Sequence, residues 1–244
     1  DVEVVLVTPS LFQSYSGMLP GWVAGHYAQA DCQIDLQALV QSAGVRMVTD
    51  RIVGMDAKRR CIGLPDGKKI EYDFLSLDVG SEVDLSWLAM AGNRLLPVKP
   101  LDRFFESWPQ VLSAAAGKPG YRLAVIGGGA AGVELALAAR YAFTKAGVDG
   151  SVNLVVSESG PLVGHAASVQ RRIVRLLAAV NVNLHRLRGA GAEDGVLLSD
   201  GTLLPADCVI AATGARAPAW LKLSGLTLDE YGYIAVDGYN RSVS

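Results

Sequence analysis

Apolar and polar positions along the chain follow two alternating periods, and the order of those periods occurs twice. The β-branched run from Val2 to Val7 reads as a strand, with its core at Val4 to Thr8. Ile34, Leu36, Leu39 and Val40 then fall at helical spacing, ahead of a strand-like stretch at Val45 to Val48. Asp66-Gly67 suits a two-residue hairpin turn between Cys61 to Leu64 and Lys69 to Tyr72. Seven residues past Asp66 comes Asp73, and an apolar strand runs from Phe74 to a terminal glycine, Gly80. The second half repeats this order. A strand at Val152 to Ser157 precedes Ile173, Leu176, Leu177 and Val180 at helical spacing, then a strand-like stretch at Val182 to Leu187. Asp200-Gly201 sits between Val196 to Leu198 and Thr202 to Leu204; Asp207 follows seven residues after Asp200, and Cys208 to Gly214 is the apolar exit. In the second helix Ile173, Val174, Leu176 and Leu177 are expected to face inward, leaving Arg171 and Arg172 on a solvated face.

One element has no counterpart in the first copy. Leu123 to Ile126 is a short strand that runs into Gly127, Gly128, Gly129, Ala130, Ala131 and Gly132, and then into a helical pattern from Val133 to Phe143. Projected onto the first copy, it predicts about 30 further residues ahead of Asp1 in the parent protein. Gly127-x-Gly129-x-x-Gly132 alone arises by chance in glycine-rich chains. Between a strand and a helix, with an acid, Glu158, after the next strand, it reads as a dinucleotide-binding loop. Gly127 permits the tight turn, Gly129 lets the backbone touch a pyrophosphate, and Gly132 lets helix and strand approach. The free amides and positive end of the helix would hold the phosphates. Glu158 would accept from the adenosine ribose diol and repel a 2′-phosphate, favouring NAD(H) over NADP(H). The matching strand end in the first copy, Thr8-Pro9-Ser10, carries no acid; Thr8 is either a ribose contact or a plain strand end.

Composition narrows the function classes. Half of the residues are apolar and 19% are charged, with 22 Lys plus Arg against 24 Asp plus Glu, which argues against a disordered chain or a nucleic-acid binder. No apolar run approaches the roughly 18 residues of a membrane helix, so no transmembrane segment is expected. Cys32, Cys61 and Cys208 show no CxxC or CxxxxC spacing, which speaks against zinc sites and redox disulfides. The chain opens at Asp1 without an initiator Met and stops at Ser244 without a closing element, so it is expected to be a piece of a longer protein.

Two strand–helix units, each with a hairpin insert and a glycine exit (Asp78-Val79-Gly80 and Ala212-Thr213-Gly214), resemble the two-dinucleotide-binding-domain flavoproteins over essentially the whole chain. The resemblance implies an α/β fold with two Rossmann-like units. An incomplete FAD-binding domain would cover residues 1–116. An NAD(H)-binding domain, 117–224, would be inserted in it, and 225–244 would start the return, through Asp229, Gly232, Ile234, Val236 and Asp237. Within that superfamily, Tyr15 to Tyr27, Ile34-Asp35-Leu36, Asp73 to Ser81 and Pro97 to Pro100 are similar to the flavoprotein module fused ahead of selenide, water dikinase, itself akin to type II NADH dehydrogenases and sulfide:quinone reductases.

This likeness implies FAD and NAD(H) as cofactors and NADH as hydride donor. It further implies a quinone or a selenium or sulfur species as acceptor, a selenide, water dikinase domain as partner, and a cytoplasmic or membrane-peripheral location. It places Tyr15, Ser16, Gly17 and Pro20 along the flavin, with Thr8 and Gly80 as further cofactor contacts, and Thr213 and Gly214 at the nucleotide. Glu134, in Gly132-Val-Glu-Leu-Ala136, matches a glutamate set near the nicotinamide and flavin rings, where it would orient the nicotinamide or relay a proton. Its other reading is an acid favoured by a helix N-terminus. The competing function class is a non-catalytic module that senses NAD(H) and docks on a selenium enzyme.

Overall fold

A computed structural model describes residues 2–244, which form two compact units. The first comprises the chain up to Ser14, Gln33–Glu82 and Ala215–Ser244; the second comprises Tyr15–Cys32 and Val83–Gly214. The helices are α1 (Leu19–Val23), α2 (Leu36–Ala43), α3 (Leu101–Ala116), α4 (Ala130–Lys145) and α5 (Ala167–Ala179).

In the first unit β1 (Val5–Thr8), β2 (Phe12–Ser14) and β3 (Gln33–Asp35) precede α2, and β4 (Arg46–Thr49) follows it. β1 and β4 pair in parallel, with Val5 opposite Arg46 and Thr8 opposite Thr49. Asp35 caps α2 by accepting from the Ala38 amide at 3.1 Å. A three-stranded antiparallel meander follows, built from β5 (Gly54–Asp56), β6 (Cys61–Gly63) and β7 (Lys69–Glu71). The two-residue β8 (Glu82–Val83) is next in the chain.

The second unit continues with β9 (Leu95–Pro97), β10 (Tyr121–Ile126), β11 (Gly150–Val156) and β12 (Val182–Arg186). The meander β13 (Gly189–Ala192), β14 (Gly195–Leu198) and β15 (Leu203–Pro205) leads into β16 (Cys208–Ala211). Its main sheet is parallel throughout, in the order β12-β11-β10-β16-β9. Both faces are covered, which is why β10 and β16 read as unbroken apolar runs rather than alternations. Leu123, Val125, Val152, Leu154 and Ile210 meet α3 and α4 through Phe104, Val133, Ala136 and Phe143. Ala124, Ile126, Val155 and Val209 meet Leu88, Val196 and Leu198 on the other side.

The repeat seen in the sequence extends to individual hydrogen bonds. In the first meander the Asp66 carboxylate accepts from the Lys68 amide at 3.0 Å and the Lys68 carbonyl from the Leu64 amide at 2.9 Å. In the second, Asp200 accepts from the Thr202 amide at 2.9 Å and the Thr202 carbonyl from the Leu198 amide at 2.9 Å. The α/β class with two strand–helix units and meander inserts is the architecture observed.

Three local expectations are corrected. Residues 74–80 form no strand, and Phe74 is 96% exposed. Their counterpart β16 is held between β10 and β9, whereas no such flanking strands pair with 74–80 among the described residues. α1 ends before Gly25, whose φ of 71° is incompatible with continuing it. Ile34 lies in β3, opposite Gln13, and Leu176 of α5 is 43% exposed rather than inward.

Asp207 ties β16 to the start of β10. Its carboxylate accepts from the Arg122 amide at 2.8 Å, from the Arg122 guanidinium at 3.2 Å and from Lys118 Nζ at 2.8 Å. Burial raises its proton affinity, but these donors outweigh burial and hold the carboxyl well below the usual carboxylate range.

Candidate functional site

β10 delivers the chain into the glycine loop at the carboxyl edge of the parallel sheet, where ligands bind in open α/β sheets. Gly127 has a φ of 139°, and a Cβ there would lie 2.1 Å from the Ala212 carbonyl oxygen; only glycine fits between β10 and the exit of β16. A Cβ on Gly132 would lie 2.0 Å from the Gly127 carbonyl oxygen, so α4 starts directly against the loop. Gly129 differs: nothing lies within 4 Å of where its Cβ would be. Gly129 is also the N-cap of α4, with no side chain capping it, so the first amides of the helix have no side-chain acceptor.

Beside this loop lies a cavity of about 330 Å³, lined by Gly127 and Gly128, by Val155, Val156 and Ser157 at the end of β11, by Leu187, Arg188 and Gly189 after β12, by Thr213 and Gly214 after β16, and by Trp87. The Thr213 hydroxyl oxygen is buried and has no hydrogen-bond partner among the described residues. A buried hydroxyl without a partner costs stability unless something supplies one. The cavity, the uncapped helix start and this hydroxyl fit the diphosphate and adjoining atoms of a dinucleotide.

Of the residues singled out from sequence, the fold gathers Gly127, Gly128, Thr213 and Gly214 at one cavity, with Gly129, Ala130 and Gly132 at the adjoining helix start. Glu158 follows Ser157 in the chain and is exposed; it is not among the cavity-lining residues, but its Oε2 lies 3.9 Å from Nε of Arg188, which is. Glu134 is exposed on the second turn of α4 and is not among the cavity-lining residues. Thr8 and Gly80 belong to the first unit, while Tyr15, Ser16, Gly17 and Pro20 belong to the second. The Thr8 hydroxyl donates to the Ser10 carbonyl at 3.2 Å, and Tyr15 is 58% exposed. α1, which carries Pro20, is anchored by Trp22 against Phe105 and by Trp108 Nε1 donating to the Val23 carbonyl at 3.2 Å. Trp87, Ser157, Leu187, Arg188 and Gly189 were not read from sequence. The residues after β12 were recoverable from the rule that sites form at carboxyl strand ends; Trp87 enters from a distant 3-10 stretch, Ser86–Arg94, and carried no local signal.

The three cysteines are free and buried. Burial, reinforced by the Asp207 charge, pushes the Cys208 thiol up to about 12, and burial with the nearby Asp31 charge raises Cys32. Neither is poised as a thiolate.

The model of one family, the pyridine nucleotide-disulphide oxidoreductases, matches residues 2–243. The chain belongs to that family. Its members bind FAD and NAD(H). A probable ferredoxin reductase, CtmF, of Castellaniella defragrans is 26% identical over 252 aligned positions, covering 96% of this chain and 57% of the relative. An NADH dehydrogenase-like protein of Mycobacterium tuberculosis is 29% identical over 87% of this chain and 56% of its own length. The chain thus spans a little over half the length of these curated relatives. Among solved structures, putidaredoxin reductase in its covalent complex with putidaredoxin superposes with a TM-score of 0.80 at 22% identity, over 98% of this chain and 58% of that one, a likeness of fold. Among the described residues no helix is long and apolar enough to cross a membrane, and no group of three His, Cys, Asp or Glu side chains is placed to hold a metal ion.

Proposed function

We propose that this chain carries the nucleotide site of an FAD-dependent NADH oxidoreductase that passes electrons to a separate acceptor. The observation that supports it best is the glycine cradle: two positions where a Cβ would collide with backbone, one open position at an uncapped helix start, and the partnerless Thr213 hydroxyl beside them.

When bound, the flavin supplies the two-electron acceptor for the nicotinamide hydride. This chain's own part is to bind and orient. Gly129 and the first amides of α4 take the diphosphate of NADH, while Gly127, Gly128, Ala130 and Gly132 keep the approach close. Glu158 accepts from the adenosine ribose hydroxyls. Thr213 and Gly214 hold the nucleotide at the exit of β16, the Thr213 hydroxyl finding there the partner it lacks. Glu134 orients the nicotinamide or holds a proton for the acceptor. Tyr15, Ser16, Gly17, Pro20, Thr8 and Gly80 are assigned to FAD on the strength of the family's cofactor pair. The domain reading of 1–116 for FAD, 117–224 for NAD(H) and 225–244 as the return belongs to the same proposal.

The acceptor is a ferredoxin-like carrier or a quinone, a reading supported by the ferredoxin reductase and NADH dehydrogenase-like relatives. Delivery to a selenium or sulfur species for a selenide, water dikinase partner rests on the sequence resemblance of Tyr15 to Tyr27, Ile34 to Leu36, Asp73 to Ser81 and Pro97 to Pro100. Anaerobic mixing of the FAD-loaded protein with NADH tests the central claim. Loss of the oxidised-flavin absorbance is expected, and an unchanged spectrum with NADH bound would leave a nucleotide-binding module without hydride transfer.

A further inference from the structure

A cation stands beside the acid assigned to the ribose. Arg188 follows β12 and lines the same cavity as Gly127, Gly128 and Ser157. Its Nε lies 3.9 Å from Glu158 Oε2, and both side chains are largely exposed, 80% and 62%. At that distance they form an ion pair without a direct hydrogen bond, which leaves the guanidinium donors available to another acceptor. Arg186, at the end of β12, lies over the same loop: a Cβ on Gly160 would be 3.5 Å from its guanidinium carbon. One guanidinium therefore pairs with the Glu158 carboxylate, and a second lies against Gly160, two residues further along the same loop.

In a dinucleotide site of this topology a lone acid takes the ribose diol and repels a 2′-phosphate, whereas an arginine nearby accommodates that phosphate. Here both are present, and the arginine offsets the carboxylate's field. We propose that Arg188 makes the adenosine end of the site tolerant of a 2′-phosphate, so that the chain takes NADPH as well as NADH with little discrimination. This rests on the reading that the cavity holds a pyridine dinucleotide. With NADH, Glu158 accepts from the ribose hydroxyls and Arg188 stays paired with it. With NADPH, the exposed guanidinium turns from Glu158 to the phosphate, which it can meet with two parallel donors. Because the pair is solvent-exposed, parting it costs little.

The test is equilibrium titration of the chain with NADH and with NADPH, followed by nicotinamide fluorescence, for the wild type, Arg188→Ala and Arg188→Lys. Circular dichroism of each variant checks the fold. Wild-type dissociation constants within about tenfold of each other are expected, a difference worth no more than one charge-assisted contact. Arg188→Ala should weaken NADPH by roughly tenfold or more while moving NADH by less than about threefold, with Arg188→Lys in between. Added salt should weaken NADPH more than NADH. A wild type that already rejects NADPH, or an Arg188→Ala protein with an unchanged NADPH to NADH ratio, would overturn the proposal while leaving the dinucleotide site intact. Failure of the wild type to bind either nucleotide would overturn the site reading itself, and this inference with it.

Discussion

Gly127 and Gly132 pack so closely that a Cβ on Gly132 would sit 2.0 Å from the Gly127 carbonyl oxygen. That contact sets how near α4 comes to the end of β10, and hence where the helix amides point. Alanine at Gly132 must push the helix away, and alanine at Gly127 must displace the Ala212 carbonyl. Each substitution is expected to lower stability by about 1–3 kcal/mol in urea unfolding.

Gly129→Ala separates folding from binding at the same loop. With nothing near its Cβ position, stability should stay within about 1 kcal/mol of wild type, the scale of an N-cap change. NADH affinity should nevertheless fall by roughly tenfold or more, because the methyl occupies the space assigned to the diphosphate. Unaltered NADH binding in this variant would place the phosphates elsewhere.

Thr213→Val removes a buried hydroxyl that has no partner among the described residues. The unliganded variant should be as stable as wild type or more stable by up to about 1 kcal/mol. Calorimetric titration should show NADH binding weakened about 3- to 10-fold, the value of one hydrogen bond. A loss of stability without any change in affinity would make Thr213 a packing residue.

Asp207 makes stability depend on pH in the acid range. Its folded-state proton affinity is lowered, so it contributes stability above the unfolded value, about pH 4, and that contribution is lost as pH falls through the folded value. Its side chain is only 11% exposed, so solvent screens the interaction little. Asp207→Asn should cost roughly 2 kcal/mol at neutral pH, with the gap to wild type closing progressively below pH 4, as urea unfolding at a series of pH values would show.

The buried thiols predict a silent native state. A thiol-reactive dye should find no fast-reacting cysteine in the folded chain and three after denaturation. A rapidly labelled native thiol would reopen a cysteine-based electron path.

Sequence alone was enough for the glycine loop, because strand, glycines and helix are contiguous and their spacing is dictated by backbone sterics. It was enough for the meander turns too, since Asp66-Gly67 and Asp200-Gly201 close on hydrogen bonds within two residues of themselves. It misplaced the segment from Phe74 to Gly80, where apolar character suited a strand but a strand also requires a neighbour. The stop of α1 before Gly25 depends on a left-handed backbone angle that hydrophobic spacing does not report.

What the order of residues determined by itself was local: periods, turns, the tight loop and the doubled plan, each fixed by interactions between near neighbours in the chain. Tertiary structure decided which distant pieces share a surface. Trp87 reaches the cavity from a distant 3-10 stretch, while Arg188 beside Glu158 and Thr213 at the loop are products of parallel strand pairing. That pairing aligns the ends of β10, β11, β12 and β16 irrespective of their separation in sequence, so the pattern along the chain carries no local trace of which side chains will meet there.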